Sequence, residues 1–322
     1  MAENTEGAFL EKNQSLAPGL YEMTLLAPAL VAAARPGQFV MLRLGENWAP
    51  FLRRPFGLAG IAAGAGRCQI VYRVVGEGTA QMSRWQAGRQ VDILGPLGNG
   101  FTWPGVEPGR AALVGGGMGI APLLPLAQAL RQAGHQVSAF LGGASLDRLF
   151  GLGQLGDLGC RAQIATEDGS AGFAGLITGP LERYLLAGAG AGRDAVAAPG
   201  ADTAAGTDHA AGTDHAAAAG PRASADADPG GGPGAGIGPG SGAVDIVYAC
   251  GPMPFLRAVT GLCRRFRLPA QVSLEERMGC GLGACMGCAV KIKDASGTIQ
   301  QRRICYDGPV FDGKEVFFLD QP

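Results

Sequence analysis

The 322-residue sequence has little net charge and no long apolar run. Its 26 basic and 27 acidic residues leave a formal charge of −1, so no basic field is available to gather nucleic-acid phosphates. No apolar stretch reaches the roughly 18 residues that a membrane-spanning helix requires. The N-terminus, MAENTEG, lacks the charged and then apolar layout of a signal peptide. We therefore expect no nucleic-acid or membrane partner, and a protein of the reducing cytoplasm.

Aromatic residues are missing from residues 187–243, a tract made mainly of Ala, Gly, Pro and Asp. The hexapeptide AGTDHA occurs there twice in tandem, at 205–210 and 211–216. Such a tract cannot bury enough apolar surface to offset the entropy lost when the chain is ordered. The composition predicts a disordered insertion, in which we interpret His209 and His215 as solvated side chains rather than metal ligands.

A second C-x2-C hook, which structural zinc sites usually have, is also missing from the eight-cysteine sequence. Instead, four cysteines follow the spacing C-x4-C-x2-C-x16-C: Cys280, Cys285, Cys288 and Cys305. This spacing is typical of a plant-type [2Fe–2S] cluster, and the glycines between the cysteines let amide groups turn toward its sulfurs. The pattern favours an iron–sulfur cluster over zinc or unbonded thiols, and hence a carrier of single electrons.

The pattern of the sequence changes twice, which predicts three modules in a multidomain fold. Residues 1–104 contain short apolar or alternating runs between Gly and Pro turns, as in a small β-barrel. Residues 105–272 alternate buried strands with helical segments, which is typical of a parallel, doubly wound α/β sheet. Residues 273–322 contain the four cysteines and a predicted hairpin at 289–304 that returns Cys305 to the other three.

Two short segments of the first module could bind a diphosphate. In RRPF (53–56) adjacent arginines could grip phosphate oxygens with their fork-shaped donors. In VYRVVGEGT (71–79) Gly76, Gly78 and Thr79 would let amides and a hydroxyl approach a phosphate closely. The alternative is a solvated pair of arginines and a glycine hairpin, because such short strings are common.

Two further segments follow predicted strands of the second module. GGGMGIAP (115–122) lies at a strand-to-helix turn, where amides and the helix dipole favour a phosphate. It departs from G-x-G-x-x-G because Ile120 stands at the third glycine position, and a plain tight turn remains the alternative. Cys250, at the end of another strand, could face a nicotinamide or be a buried structural thiol. The candidate NAD contacts are Gly115, Gly116, Gly117, Gly119, Cys250, Gly251 and Pro252.

The order of these segments resembles one family along nearly the whole chain. RRPF, YRVVGEGT, LGPLGNGF, GGGMGIAP, ATEDGSAGF, YACGPMP, SLEERMGCGLGACMGC and ICYDGPVF follow one another as in the electron-transfer subunits of NAD-dependent (class 1B) bacterial dihydroorotate dehydrogenases. These subunits are a branch of the ferredoxin reductase superfamily. The sequence departs from that pattern in the tract 187–243 and at Gly57, where the superfamily often has a Ser or Thr that could hydrogen-bond the flavin.

The resemblance implies a FAD barrel, an NAD-binding domain and a [2Fe–2S] domain, in a heterotetramer with an FMN-containing catalytic subunit. Electrons would pass from that FMN through the cluster and FAD to NAD+, in pyrimidine biosynthesis. The iron ligands implied are the four cysteines named above. The FAD contacts implied are Arg53, Arg54, Pro55, Phe56, Val71, Tyr72, Arg73, Gly78 and Thr79.

Two other functions remain open from the sequence. One is a sister subunit that passes electrons between NAD(P)H and ferredoxin, a hydrogenase or a sulfur reductase. The other is a redox sensor that binds flavin without turnover. We expect NAD rather than NADP, because Arg148 alone lies near a possible 2′-phosphate, where NADP sites usually present a cationic cluster. We also expect no oxidation of dihydroorotate by this chain alone, since no second barrel and no base for a pyrimidine site are found.

Overall fold

The first module consists of two antiparallel sheets that share one core. The computed structural model describes residues 7–45, 51–103, 108–189, 243–294 and 296–318. The larger sheet has five strands, in the order β5 (Gly60–Ala62), β6 (Arg67–Arg73), β2 (Leu20–Leu26), β1 (Ala8–Ala17) and β7 (Gln90–Val91). The smaller sheet has three strands, in the order β4 (Arg54–Gly57), β3 (Phe39–Leu42) and β8 (Ile93–Leu97). Two short helices complete the module, α1 (Pro28–Ala33) and α2 (Glu77–Met82).

The inner faces of the two sheets pack against each other. Leu10, Met23 and Ile70 of the larger sheet belong to one buried cluster with Val40 and Ile93 of the smaller sheet. Apolar side chains at alternate positions point to the same face of a strand, so each alternating run contributes one row to this core. The short apolar and alternating runs expected in residues 1–104 therefore include strands of both sheets.

The second module is a sheet of six parallel strands with an antiparallel strand at one edge. Its helices are α3 (Leu123–Gln132), α4 (Leu152–Asp157), α5 (Thr178–Ala189) and α6 (Met253–Arg265). The strand order is β12 (Phe173–Ala174), β11 (Arg161–Thr166), β10 (Gln136–Gly143), β9 (Arg110–Gly116), β13 (Ile246–Cys250), β14 (Ala270–Ser273) and the antiparallel β17 (Val310–Asp312). This is the alternation of strands and helices that the sequence predicts.

The predicted start of the insertion needs a correction of three residues. Helix α5 continues to Ala189, so residues 187–189 are helical rather than part of a disordered tract. Leu181 and Leu185 hold this helix in the core, and extending a nucleated helix costs far less than starting one. The remainder, 190–242, including His209 and His215, lies outside the described residues.

The cysteine-rich segment forms the predicted hairpin and then rejoins the parallel sheet. Its strands are β15 (Ala289–Lys293) and β16 (Ile299–Arg303), followed by the single-turn helix α7 (Ile304–Asp307). Beyond α7 the chain enters β17, which pairs with β14. The segment after residue 272 therefore contributes a strand to the second module. Within the described residues, no helix is both long and apolar enough to cross a membrane.

Candidate functional site

A cavity of about 1030 Å³ lies where the three parts of the chain meet. The first module contributes residues of β4, β6 and the start of α2 to its walls. The turn after β9 contributes Met118, Ala121 and Pro122. The cysteine-rich segment contributes Pro309 and the stretch 273–278, which runs from the end of β14 toward Cys280. Its volume is that of a site for a sizeable organic cofactor.

Eight of the nine candidate FAD residues line this cavity. They are Arg54, Pro55, Phe56, Val71, Tyr72, Arg73, Gly78 and Thr79. The ninth, Arg53, is not among the lining residues, because its guanidinium group is paired with Asp92 at 2.8 Å. Gly57 also lines the cavity, and a Cβ there would lie 3.9 Å from Pro122, so a small side chain has room.

Arg73 has an unsatisfied polar atom in the cavity wall. Its Nε is buried and has no hydrogen-bond partner among the described residues. Burial, together with the nearby Arg148, lowers the pKa of the guanidinium group. A buried donor without a partner is costly, and an anionic group in the cavity would satisfy it. Arg73 thus fits a phosphate-bearing cofactor.

The segment around Gly76 and Thr79 is the start of helix α2 rather than a hairpin. The Thr79 hydroxyl accepts hydrogen bonds from the Val75 N–H at 2.9 Å and the Gly76 N–H at 3.3 Å. It also donates to the Gly76 carbonyl at 3.1 Å. These bonds hold the glycine-rich turn against the cavity in a fixed shape.

The glycine turn after β9 and the CGP segment after β13 pack against each other. A Cβ at Gly119 would overlap the Cys250 carbonyl, so only glycine permits this backbone contact. Gly251 is needed for a related reason, because a Cβ there would lie 2.6 Å from the Phe255 ring of α6. Of the candidate NAD contacts, only Cys250 lines the cavity, and the turn contributes Met118 to its wall instead.

Cys250 and Glu275 face each other in the cavity wall. The Cys250 Sγ donates to Glu275 Oε1 at 3.8 Å. Burial raises the pKa of the Cys250 thiol well above its ordinary value, and the neighbouring carboxylate adds to the effect. The Glu275 side chain lines the cavity. Desolvation by the surrounding residues disfavours the charged form of its carboxyl and so raises the pKa of that group. No sequence motif points to a role for Glu275, whose one signal is its place five positions before Cys280.

The four cysteines come together as two pairs. Cys280 contacts Cys285, and Cys288 contacts Cys305, whose N–H donates to the Cys288 Sγ at 3.5 Å. Within the described part of the chain, no three His, Cys, Asp or Glu side chains are placed to hold one metal ion. A single zinc ion requires convergence on one point, whereas two irons require two pairs of thiolates.

Backbone amides point at the cysteine sulfurs as the glycine-rich sequence predicts. The N–H groups of Leu282, Gly283 and Gly287 donate to Cys280, Cys305 and Cys285 at 3.3, 3.2 and 3.4 Å. Burial opposes ionisation of Cys280, but the amide hydrogen bonds outweigh it and lower the pKa of this thiol to about 6. Burial and the adjacent Cys288 raise the pKa of Cys305 to about 12. Amide donors of this kind stabilise thiolates that bind a metal cluster.

Comparison with known proteins agrees with this chemistry. Residues 275–317 match the iron–sulfur cluster binding domain of dihydroorotate dehydrogenase B. The chain is 35% identical over 303 residues to the electron transfer subunit of dihydroorotate dehydrogenase B (NAD(+)) from Geobacillus thermodenitrificans, with 94% of each chain covered. The chain belongs to this family. The corresponding subunit of Desulforamulus reducens is 33% identical over 301 residues, again with 94% of each chain covered.

Solved structures of two ferredoxin–NADP oxidoreductases share the fold of this chain. The structure of the NADH-dependent reduced ferredoxin-NADP oxidoreductase aligns with a TM-score of 0.70 and 28% identity, covering 98% of this chain and 91% of that chain. A ferredoxin NADP+ reductase from Neisseria gonorrhoeae, with bound FAD and NADP, aligns with a TM-score of 0.56 and 15% identity over 85% of this chain and 95% of that chain. The second likeness concerns the fold alone. The predicted family, the electron-transfer function and the iron–sulfur domain are thereby confirmed.

Proposed function

We propose that this subunit relays electrons from the FMN of a dihydroorotate dehydrogenase catalytic subunit to NAD+. The observation that carries the proposal concerns the cavity that eight candidate FAD residues line. The residues that flank the four cysteines on both sides line the same cavity. Met278, two positions before Cys280, and Pro309, four positions after Cys305, are both in its wall. A cluster on these cysteines would therefore lie beside a flavin in the cavity. When bound, FAD can exchange single electrons with a cluster and a hydride with a nicotinamide.

In this proposal the first module binds FAD and the second module binds NAD. The two sheets of the first module form the FAD barrel, with Arg54 and Arg73 supplying charged donors for phosphate. Phe56 and Tyr72 supply aromatic surface in the same wall. The parallel sheet binds NAD at the carboxyl ends of β9 and β13, where ligands usually bind in such sheets. Cys250 is at the point where nicotinamide would meet the flavin.

We propose NAD rather than NADP as the acceptor. Arg148, the cation expected near a 2′-phosphate, is paired with Asp147 at 3.5 Å. A carboxylate beside that arginine repels a second negative group. The test is the ratio of kcat/KM for NADH and NADPH with a dye acceptor, and comparable values would contradict the proposal.

The free thiols of this chain favour the reducing cytoplasm as its setting. The electron relay is tested by reconstitution with the FMN-containing catalytic subunit. The isolated chain should oxidise NADH with ferricyanide but should not oxidise dihydroorotate. The mixture should reduce NAD+ with dihydroorotate, and light scattering should give a complex with two copies of each subunit. An inactive mixture that reduces ferredoxin rapidly would instead favour the sister subunit. Absence of NADH oxidation with any acceptor would favour a redox sensor.

A further inference from the structure

Asn99, in the Gly-Asn-Gly loop (98–100) that follows β8, is bound to the chain just beyond Cys305. Its backbone N–H donates to the Gly308 carbonyl at 2.7 Å. Its side-chain Oδ1 accepts from the Val310 N–H at 3.0 Å. Its Nδ2 donates to the carbonyls of Val310 at 2.9 Å and Asp307 at 3.3 Å. One residue of the first module thus makes four hydrogen bonds to a segment more than 200 positions away in sequence.

The neighbouring glycine makes this contact possible. Gly98 has a φ of +72°, and a Cβ there would lie 2.6 Å from both the Gly308 carbonyl oxygen and the Pro309 Cδ. A larger residue at this position would push the two segments apart. The glycine and the asparagine of the loop therefore serve the same contact.

The segment held by Asn99 connects the cluster site to the cavity. Cys305 precedes it in helix α7, and Pro309, within it, lines the cavity. The loop that follows Cys280 also packs on the first module, because Gly281 lies against Met41. A Cβ at Gly281 would be only 2.8 Å from the Met41 Cγ. The chain is thus fixed to the first module both after Cys280 and after Cys305, and this module lines the flavin side of the cavity.

We propose that Asn99 is a positioning residue that sets the separation between the iron–sulfur cluster and the flavin. The inference rests on the proposed function, since it assumes that electrons pass between these two groups. An amide suits the task because one oxygen and one NH2 group satisfy both the N–H and the carbonyl of a peptide segment. It also does so without adding charge beside the cluster, as Asp or Lys would.

The test is Asn99→Leu in the full chain loaded with both cofactors, mixed anaerobically with NADH in a stopped-flow instrument. NADH supplies two electrons to the flavin, and one of them passes on to the cluster, so the flavin and cluster absorbances report successive steps. We expect FAD and iron contents to be retained and flavin reduction to be little changed. Cluster reduction should slow by roughly tenfold, because small displacements of reacting groups have large effects on rate.

Gln271→Leu is the matched control. The Gln271 amide also bridges the first module and the rest of the chain, donating to the Thr102 carbonyl at 2.7 Å and accepting from the Thr102 N–H at 2.9 Å. Although Gln271 lies opposite Asp312 in the β14–β17 pair, its side-chain bonds go to Thr102 and not to the segment that Asn99 holds. Its loss should leave cluster reduction at the wild-type rate. Equal slowing in both variants would reduce Asn99 to a general structural role, and a wild-type rate in Asn99→Leu would overturn the proposal.

A second variant keeps the test decisive if Asn99→Leu fails to retain its cofactors. Asn99→Asp keeps the side-chain volume and the acceptor for the Val310 N–H but loses the two bonds that the side chain donates, so slow cluster reduction is again expected. Here too, a wild-type rate would contradict the positioning role. Failure of NADH to reduce the cluster of the wild-type chain would instead contradict the proposed function itself, whatever the variants do.

Discussion

Arg53 and Arg73 differ in where their guanidinium groups find partners. Arg53 is paired with Asp92 near the surface, whereas the Arg73 Nε is buried and unpartnered among the described residues. Leaving a buried donor unsatisfied costs about 1–3 kcal/mol, which an anionic ligand in the cavity would recover. Arg73 is therefore the better candidate for a phosphate contact, although both arginines belong to segments with the same predicted role.

Replacing Arg73 with Met should weaken FAD binding by about tenfold to a hundredfold, because hydrogen bonds to charged groups contribute roughly 1.5–3 kcal/mol. Arg53→Met should change it little, since partly exposed ion pairs contribute about 0–1 kcal/mol. Titration of the apoprotein with FAD, followed by the change in flavin fluorescence, measures both variants. A greater loss in Arg53→Met would contradict this assignment.

The eight thiols should differ sharply in reactivity once the cluster has been removed. Only the thiolate is nucleophilic, and the pKa of Cys280 is lowered to about 6, so this residue should alkylate readily at neutral pH. Its labelling should fall as the pH drops below that value, because the thiolate is then protonated. The buried thiols of Cys68, Cys160, Cys250 and Cys263 should remain unlabelled, since burial raises the pKa of each.

Iodoacetamide treatment followed by peptide mass spectrometry distinguishes these classes. Cys285, which is exposed, serves as the control for access. Labelling of Cys250 as fast as that of Cys280 would contradict the burial of the Cys250 side chain, which is 1% exposed in the structure.

Two backbone turns are interlocked beside the cavity. The 3-10 turn after β9 places Gly119 directly against the Cys250 carbonyl at the end of β13. The glycine-rich sequence therefore has a packing role in addition to any role toward a phosphate. Helix α3 begins only at Leu123, after this turn and Pro122, rather than directly at the glycines.

Gly119→Ala should destabilise the chain by about 1–3 kcal/mol, because the added methyl group forces the two turns apart. The matched control is Gly153→Ala in helix α4, where a Cβ meets no atom within 4 Å. That change should be neutral or should stabilise by up to about 1 kcal/mol, since Ala is the better helix former. Thermal unfolding of both apoproteins measures the difference, and a neutral Gly119→Ala would show that the turns can separate freely.

The cavity exists only because segments that are distant in sequence meet. Its wall combines the first module, the turn after β9 and the segment after β14. The tract 190–242 separates α5 from β13 in sequence, yet β13 pairs with β9 in the centre of the parallel sheet. Strands that precede the tract in sequence and strands that follow it therefore belong to one sheet.

Deletion of residues 190–242, with the ends joined by a short Gly/Ser link, should preserve both cofactors and NADH oxidation. Doubling the length of a flexible connection costs only about 0.6 kcal/mol in closure entropy, so its length alone has little effect on stability. Iron content, flavin content and NADH–ferricyanide activity are the measurements. A deletion from 187 to 243 should be less stable, because it also removes the last residues of α5. Loss of folding in the shorter deletion would indicate a role for the tract.

Local sequence was sufficient for the features that depend on neighbouring residues. The C-x4-C-x2-C spacing, the hairpin that returns Cys305 and the alternating strand runs are local, because amide direction and strand periodicity act over a few residues. The candidate FAD residues came from short motifs and the family resemblance, and eight of the nine line one cavity. The family also followed from the order of short motifs, since each motif is contiguous in sequence.

Only the tertiary structure decided which of these residues share a cavity. Arg53 and Arg54 are adjacent in sequence, but Arg53 turns to Asp92 while Arg54 lines the cavity. Glu275 meets Cys250, and Asn99 meets Val310, through contacts whose partners are 25 and 211 positions apart. Such contacts follow from the packing of whole modules, which depends on the summed burial of many side chains and leaves no signal in any single segment.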